Sequence, residues 1–274
     1  MISAHLLRSA LLGAVLAAFA AGPVTAALLF SDNFSSPDGT LLSATTGWTR
    51  ILGTPDEPVT VNGGKLRLQS PSTGGVERDY TDLGQDYSTG SLYVGFDFAV
   101  TDLPASNNTL GFFALNTTGV SVNTVGLSFN IGVGDATGYK LGLALGTSTG
   151  SVTPTSVYSA ANYALNTTNR IVIEYNFVEG VLNNTANLYL NGTVVASAVY
   201  GTTGAELASL RYFAFRQPTT AQSAAVAFDD FVIATSYNEA ATFSSAIPEP
   251  ASAAALLGIA ALGLVAARRR RRVA

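Results

Sequence analysis

Asp229 and Asp230 stand between two phenylalanines in Phe228-Asp229-Asp230-Phe231, and Asp32 and Asn33 precede Phe34 near the other end of the same region. Hard oxygen donors suit calcium, and these four could share an ion if the first and last strand-like stretches lie together. The other reading is that Asp and Asn cap turns and strand ends there. Paired carboxylates can also work on a glycosidic bond, but they must face each other across it, roughly 5–9.5 Å apart. Neighbours in a strand point to opposite faces, so Asp229 and Asp230 cannot pair that way. Glu174 and Asp97 stand alone in their runs and read as members of an exposed face.

Other chemistry is excluded more sharply. The single histidine is His5, and the chain has no cysteine. His5 lies in a stretch that reads as a cleaved leader, which leaves no Ser-His-Asp triad, no imidazole acid–base step and no His metal ligand. Thiol nucleophiles, zinc-thiolate sites and disulfides are absent as well. The chain therefore reads as non-catalytic. The side chains left for binding are aromatic: Trp48, Tyr80, Tyr87, Tyr158 and Tyr163 could stack on sugar rings, and each fits a core or rim position as easily.

The elements that must position these residues are strands. Leu92, Val94, Phe96, Phe98 and Val100 alternate with Tyr93, Gly95, Asp97 and Ala99, and Ile171, Ile173, Tyr175 and Phe177 alternate likewise. Asn62-Gly63-Gly64, Asn183-Asn184 and Asn191-Gly192 mark turns, the last joining two apolar runs as a hairpin with a type I′ turn. Residues 27–236 thus read as all-β, with about twelve to fourteen strands, too many for one flat sheet. The expectation is a two-sheet antiparallel sandwich. Its first strand-like stretch, Leu28–Phe34, should lie antiparallel beside the last, Val226–Ile233.

The two ends carry addresses. Residues 1–26 hold Arg8, an apolar stretch, Gly22-Pro23 and a small-residue site ending at Ala26, the pattern of a secretory signal helix. Residues 237–246 read as a polar linker. Residues 247–274 run Ile247-Pro248-Glu249-Pro250, then an uncharged stretch over 251–267, then Arg268, Arg269, Arg270, Arg271 and Arg272. As a transmembrane helix the apolar stretch would span about 26 Å, the short end for a bilayer. Its arginines should stay cytoplasmic. Setting aside Arg8, Glu249 and the five tail arginines leaves 8 basic and 17 acidic residues, a net charge near −9 for the exported part. That balance disfavours nucleic acid as a partner.

Pro248-Glu249-Pro250, one apolar helix and a closing arginine cluster resemble the PEP-CTERM sorting signal of Gram-negative bacteria. The resemblance implies an exosortase-type enzyme as partner. It also implies membrane anchoring at least in passing, and delivery to the cell surface or extracellular matrix. Asp32-Asn33-Phe34, the Leu188–Gly192 hairpin and Phe228–Phe231 resemble the opening, late and closing elements of the concanavalin A-like jelly roll, laminin-G-like domains included. Jelly rolls of that group often hold calcium where their first and last strands meet, which here implies Asp32, Asn33, Asp229 and Asp230. Their glycosidases carry Glu-x-Asp-x-Glu on one strand, a spacing absent from this chain. The expected function is a surface-sorted, non-catalytic sandwich that binds polysaccharide or matrix. The alternatives are a purely structural or adhesive matrix protein and an atypical glycoside hydrolase.

Overall fold

The computed structural model describes residues 26–53, 56–71, 75–105, 109–115, 125–146, 156–200, 206–219 and 224–243. The leader up to Thr25 and the whole sorting signal lie outside these residues. Among the described residues no helix is long and apolar enough to cross a membrane.

Sixteen strands alternate along the described chain. They begin with β1 (Leu28–Asp32), β2 (Thr49–Leu52), β3 (Thr60–Val61), β4 (Leu66–Gln69), β5 (Arg78–Tyr87) and β6 (Gly90–Asp102). Next come β7 (Thr109–Leu115), β8 (Val125–Val133), β9 (Gly138–Leu145), β10 (Val157–Tyr158) and β11 (Tyr163–Ala164). The last are β12 (Asn169–Phe177), β13 (Thr185–Leu190), β14 (Thr193–Val199), β15 (Leu210–Arg216) and β16 (Ala225–Ala234), followed by helix α1 (Tyr237–Thr242). They form two antiparallel sheets. The first has the order β14-β13-β12-β6-β16-β4-β3, and the second β10-β9-β8-β7-β15-β5-β2; β11 adds to β9 in the second.

The expected pairing of the chain's ends is present. β1 lies antiparallel to β16, with Asp32 opposite Phe231 and Phe30 opposite Ile233. β4 occupies the rest of the same edge of β16, from Ala225 to Phe228, and β6 covers the other edge. In a regular strand Phe228 and Phe231, three residues apart, would face opposite ways. Both are fully buried. A bulge between Asp229 and Val232 adds the residue that reconciles them. Asp230 takes the strain, at φ +44°, a conformation Asp tolerates better than most side chains. The Asn191-Gly192 hairpin also forms as the sequence dictates, with both residues at positive φ.

Alternation becomes a core between the sheets. Leu92, Val94, Phe96, Phe98 and Val100 from β6 meet Leu127, Phe129 and Ile131 from β8, all of them buried. Phe129 stands edge-on to Phe96 and Phe98 at 5.3 and 5.1 Å between ring centroids. Each such ring contributes about 1.5–3 kcal/mol by leaving water. Without a disulfide, this burial and the ladders hold the domain.

The linker expectation needs correction at its start. Residues 237–242 form α1 on the outer face of the first sheet. Ser236 caps it by accepting from the Glu239 N–H, and the Ser236 hydroxyl donates to the Glu239 carboxylate at 3.1 Å. Ala240 is fully buried against Val172 and Val232. Gly95 permits that close approach, since a Cβ there would sit 2.1 Å from the Ala240 carbonyl oxygen.

Candidate functional site

Residues directly opposite one another in a ladder share a face. Phe129, Phe213, Phe215, Leu141 and Leu143 of the second sheet point into the core. The residues between them therefore form its outer face. One row runs Tyr158–Gly142–Asn130 across β10, β9 and β8. A second joins Ala144 to Ser128, and through the β7 backbone reaches Ala214 and Tyr80. Arg216 on β15 stands opposite Arg78 on β5. Tyr212 lies edge-on to Tyr80 at 5.6 Å. The floor is thus made of small residues, with half-buried tyrosines and arginines standing over it. The Tyr158 ring lies across Gly142, where a Cβ would come within 2.7 Å of it.

The polar groups of this face are unevenly satisfied. The Asn130 side-chain amide donates to the Ser128 and Ser156 hydroxyls at 3.3 and 3.1 Å. Its oxygen, in a residue only 1% exposed, accepts nothing. Nε and Nη1 of Arg78 and Nε of Arg216 are likewise buried and make no hydrogen bond. Burial lowers the Arg78 pKa, and burial together with Arg78 beside it brings Arg216 down to about 10. Asp82, at the far end, is held bidentately by Arg211 at 2.7 and 2.9 Å, which keeps its pKa below the ordinary value.

The strand register sets Asp32 opposite Phe231, beside the closing acids where calcium was expected. Among the described residues no group of three or more His, Cys, Asp or Glu side chains is placed to hold a metal ion. Asp32 accepts from the Phe34 N–H and from Trp48 Nε1, both at 2.7 Å, and Asn33 accepts from the Ser35 N–H at 3.3 Å. Asp229 accepts from the Asp230 N–H at 2.8 Å. These are the capping roles the sequence left open. The positive charge beside the closing acids is a side chain, because Arg170 Nη1 reaches Asp97 at 3.3 Å and the Asp230 carbonyl at 2.9 Å. Burial raises the Asp229 pKa, helped by Asp230 and Asp97.

The aromatic candidates divide. Trp48 is a core residue, 4% exposed, ringed by Phe30, Phe215 and Phe231 at 5.2–5.8 Å. Tyr163 packs on Tyr139, and the Tyr87 hydroxyl accepts from Gln85. Tyr80 and Tyr158 alone reach the outer face of the second sheet, joined there by Tyr212. Glu174 is not a lone exposed acid either. It accepts from Tyr93 at 2.9 Å, Asn187 at 2.8 Å and Tyr189 at 2.9 Å. Burial opposes its ionisation, but those donors outweigh it and hold its pKa below the ordinary value. Arg78 and Arg216 were not singled out by the sequence, because only the long-range pairing of β5 with β15 places them together.

One carboxylate pair was also missed. Glu77 and Asp79, two apart, both face inward and are fully buried. Arg50 forms an ion pair with Glu77, which also accepts from the Val59 N–H at 2.8 Å. Burial, then Glu77 beside it, pushes Asp79 up to about 8 against the pull of Arg50. The pair is sealed in the core, away from any substrate. A cleft of about 690 Å³ opens near Ser88, Phe177 and Val181. The Glu206 carboxylate on its wall is occupied by the Leu182 and Asn184 backbone N–H groups.

Residues 246–272 match the family model of the PEP-CTERM protein-sorting motif. The chain carries a PEP-CTERM sorting signal. No curated protein matches the chain by sequence. Solved structures resemble its fold. The potassium-bound carbohydrate recognition domain of Emp46p aligns at TM-score 0.50 and 14% identity, over 75% of this chain and 95% of that one. A structure from work on endo-acting O-glycanases, with which human gut bacteria initiate mucin breakdown, aligns at TM-score 0.52 and 10% identity, over 76% and 98%. At such identities the likeness shows the fold alone, a two-sheet antiparallel β-sandwich.

Proposed function

We propose that this PEP-CTERM protein is an exported, non-catalytic sandwich that binds polysaccharide of the cell envelope or matrix through the outer face of its second sheet. The observation that carries the reading is the face itself, with Tyr80, Tyr212 and Tyr158 standing over a floor of Gly142, Ala144, Ser128 and Ala214. Sugar rings stack on exposed aromatic faces, while unpaired donors and acceptors beside them take hydroxyl groups. On this face Asp82 is tied to Arg211, and the buried pair Glu77–Asp79 faces the core, so neither presents a free carboxylate pair to a bound chain. The sorting signal supports the location: an exosortase-type enzyme as partner, passage through the membrane by residues 251–267, and surface or matrix delivery. The similar fold of the Emp46p carbohydrate recognition domain agrees with this reading.

Affinity electrophoresis of the full-length protein against a panel of soluble polysaccharides tests it. At least one polysaccharide should retard the wild type. Tyr80→Ala and Tyr158→Ala should each weaken that binding roughly five- to tenfold, the scale of one aromatic contact. Unretarded migration across neutral and charged panels alike would sink the proposal.

A further inference from the structure

From the unpaired arginines we infer that the ligand of this face is an anionic polysaccharide, whose carboxylate or sulfate groups seat between Arg78 and Arg216. The inference rests on the binding role proposed above and narrows it to a substrate class. Two guanidinium groups stand directly opposite each other on adjacent strands, with buried N–H donors that meet no acceptor. Like charges so placed repel, and each buried unpaired donor costs stability. A fold retains such a pair at a loss unless an anion completes it. Arginine presents a planar fork of donors that matches a carboxylate or sulfate group bidentately.

The charges around the pair point the same way. Lys140 of β9 shares this face three strands away, opposite Gly132 of β8, where a long polymer could reach it as well. Asp82 on β5 is already neutralised by Arg211. Burial keeps the arginines poorly solvated, which strengthens an ion pair formed there. The surrounding protein is acidic, at −9 over the exported part. General attraction between protein and polyanion is therefore unfavourable, and binding would have to come from this local site. The Asn130 oxygen, buried and without a donor, is placed to accept a sugar hydroxyl.

The experiment is affinity electrophoresis of the full chain in gels containing alginate, polygalacturonate, dextran sulfate or a neutral β-glucan, with melting curves for every variant. Alginate or polygalacturonate should retard the wild type if carboxylates seat in the site, and dextran sulfate if sulfates do. Arg78→Gln and Arg216→Gln should each weaken that retardation about tenfold or more, while melting no lower than wild type, because each substitution also relieves the repulsion. Arg216→Lys keeps a charge without the fork, and should fold and bind at an intermediate level. Binding left unchanged in both Gln variants overturns the inference. Retardation by the neutral glucan alone, lost in Tyr80→Ala but not in the arginine variants, overturns it while leaving the binding role intact. No retardation by any of the four removes both.

Discussion

On the outer face of the first sheet, Arg170 reaches Asp97, the Asp230 carbonyl and the Ala240 carbonyl, and Glu174 accepts three hydrogen bonds. On the outer face of the second, Arg78 and Arg216 confront each other with buried donors unmet. Both faces come from the same alternation along long strands. One has been closed by its own side chains and by α1; the other leaves its polar groups waiting. Buried polar groups are normally paired, and the exceptions mark places where something else belongs. The same residue type, arginine, is tied into the fold on one face and left with unmet donors on the other.

The largest effect expected from breaking this contrast is at Arg170. Arg170→Ala leaves Asp97 and the Asp229–Asp230 bulge without their cation and frees the end of α1. Urea titration should show a loss of about 3 kcal/mol, whereas Arg216→Gln should show none. Equal losses at both would erase the distinction between the faces. Next comes Gly95→Ala, whose new Cβ meets the Ala240 carbonyl at 2.1 Å. Overpacking should cost about 1–3 kcal/mol and expose α1 to proteolysis. At Gly142, on the other face, the same substitution meets the Tyr158 ring at 2.7 Å. There it should disturb polysaccharide binding more than stability.

A further effect is one of pH, and it belongs to neither face. Folding raises the Asp79 pKa from 3.8 to about 8, so across that window the folded protein holds a proton the unfolded chain has lost. Stability from this group therefore falls as pH rises from about 4 to about 8. Asp79→Asn should flatten the slope and gain most over wild type near pH 8. Glu174 acts in the opposite sense, since its folded pKa is lowered, and its contribution disappears as pH falls below the usual carboxylate range. A wild-type slope unchanged in Asp79→Asn would place the titrating group elsewhere.

What the sequence made legible was whatever local periodicity controls. The inward set of β6, the Asn191-Gly192 turn and the pairing of β1 with β16 follow from alternation, turn chemistry and matching Asp-Phe stretches. Helix α1 had a signal that was passed over: Ser236 and Glu239 stand at the spacing of a capping box, but six residues with two alanines carry no clear periodicity. Calcium at Asp32, Asn33, Asp229 and Asp230 was an expectation from strand pairing, which fixes neighbourhood, not where side chains find donors. Trp48 claimed Asp32, and Arg170, far away in sequence, supplied the charge beside Asp229. Arg78 and Arg216 were illegible for the same reason, each ordinary alone and unusual only as a pair.

The position of α1 sets the side of the sandwich from which the chain leaves toward its sorting signal. The helix ends at Thr242 on the outer face of the first sheet, and the sorting motif begins at residue 246. The chain from Thr242 to the motif can stretch at most about 14 Å, and to the apolar stretch at residue 251 at most about 32 Å. The full thickness of the sandwich separates α1, where the described chain ends, from the arginine pair on the outer face of the second sheet.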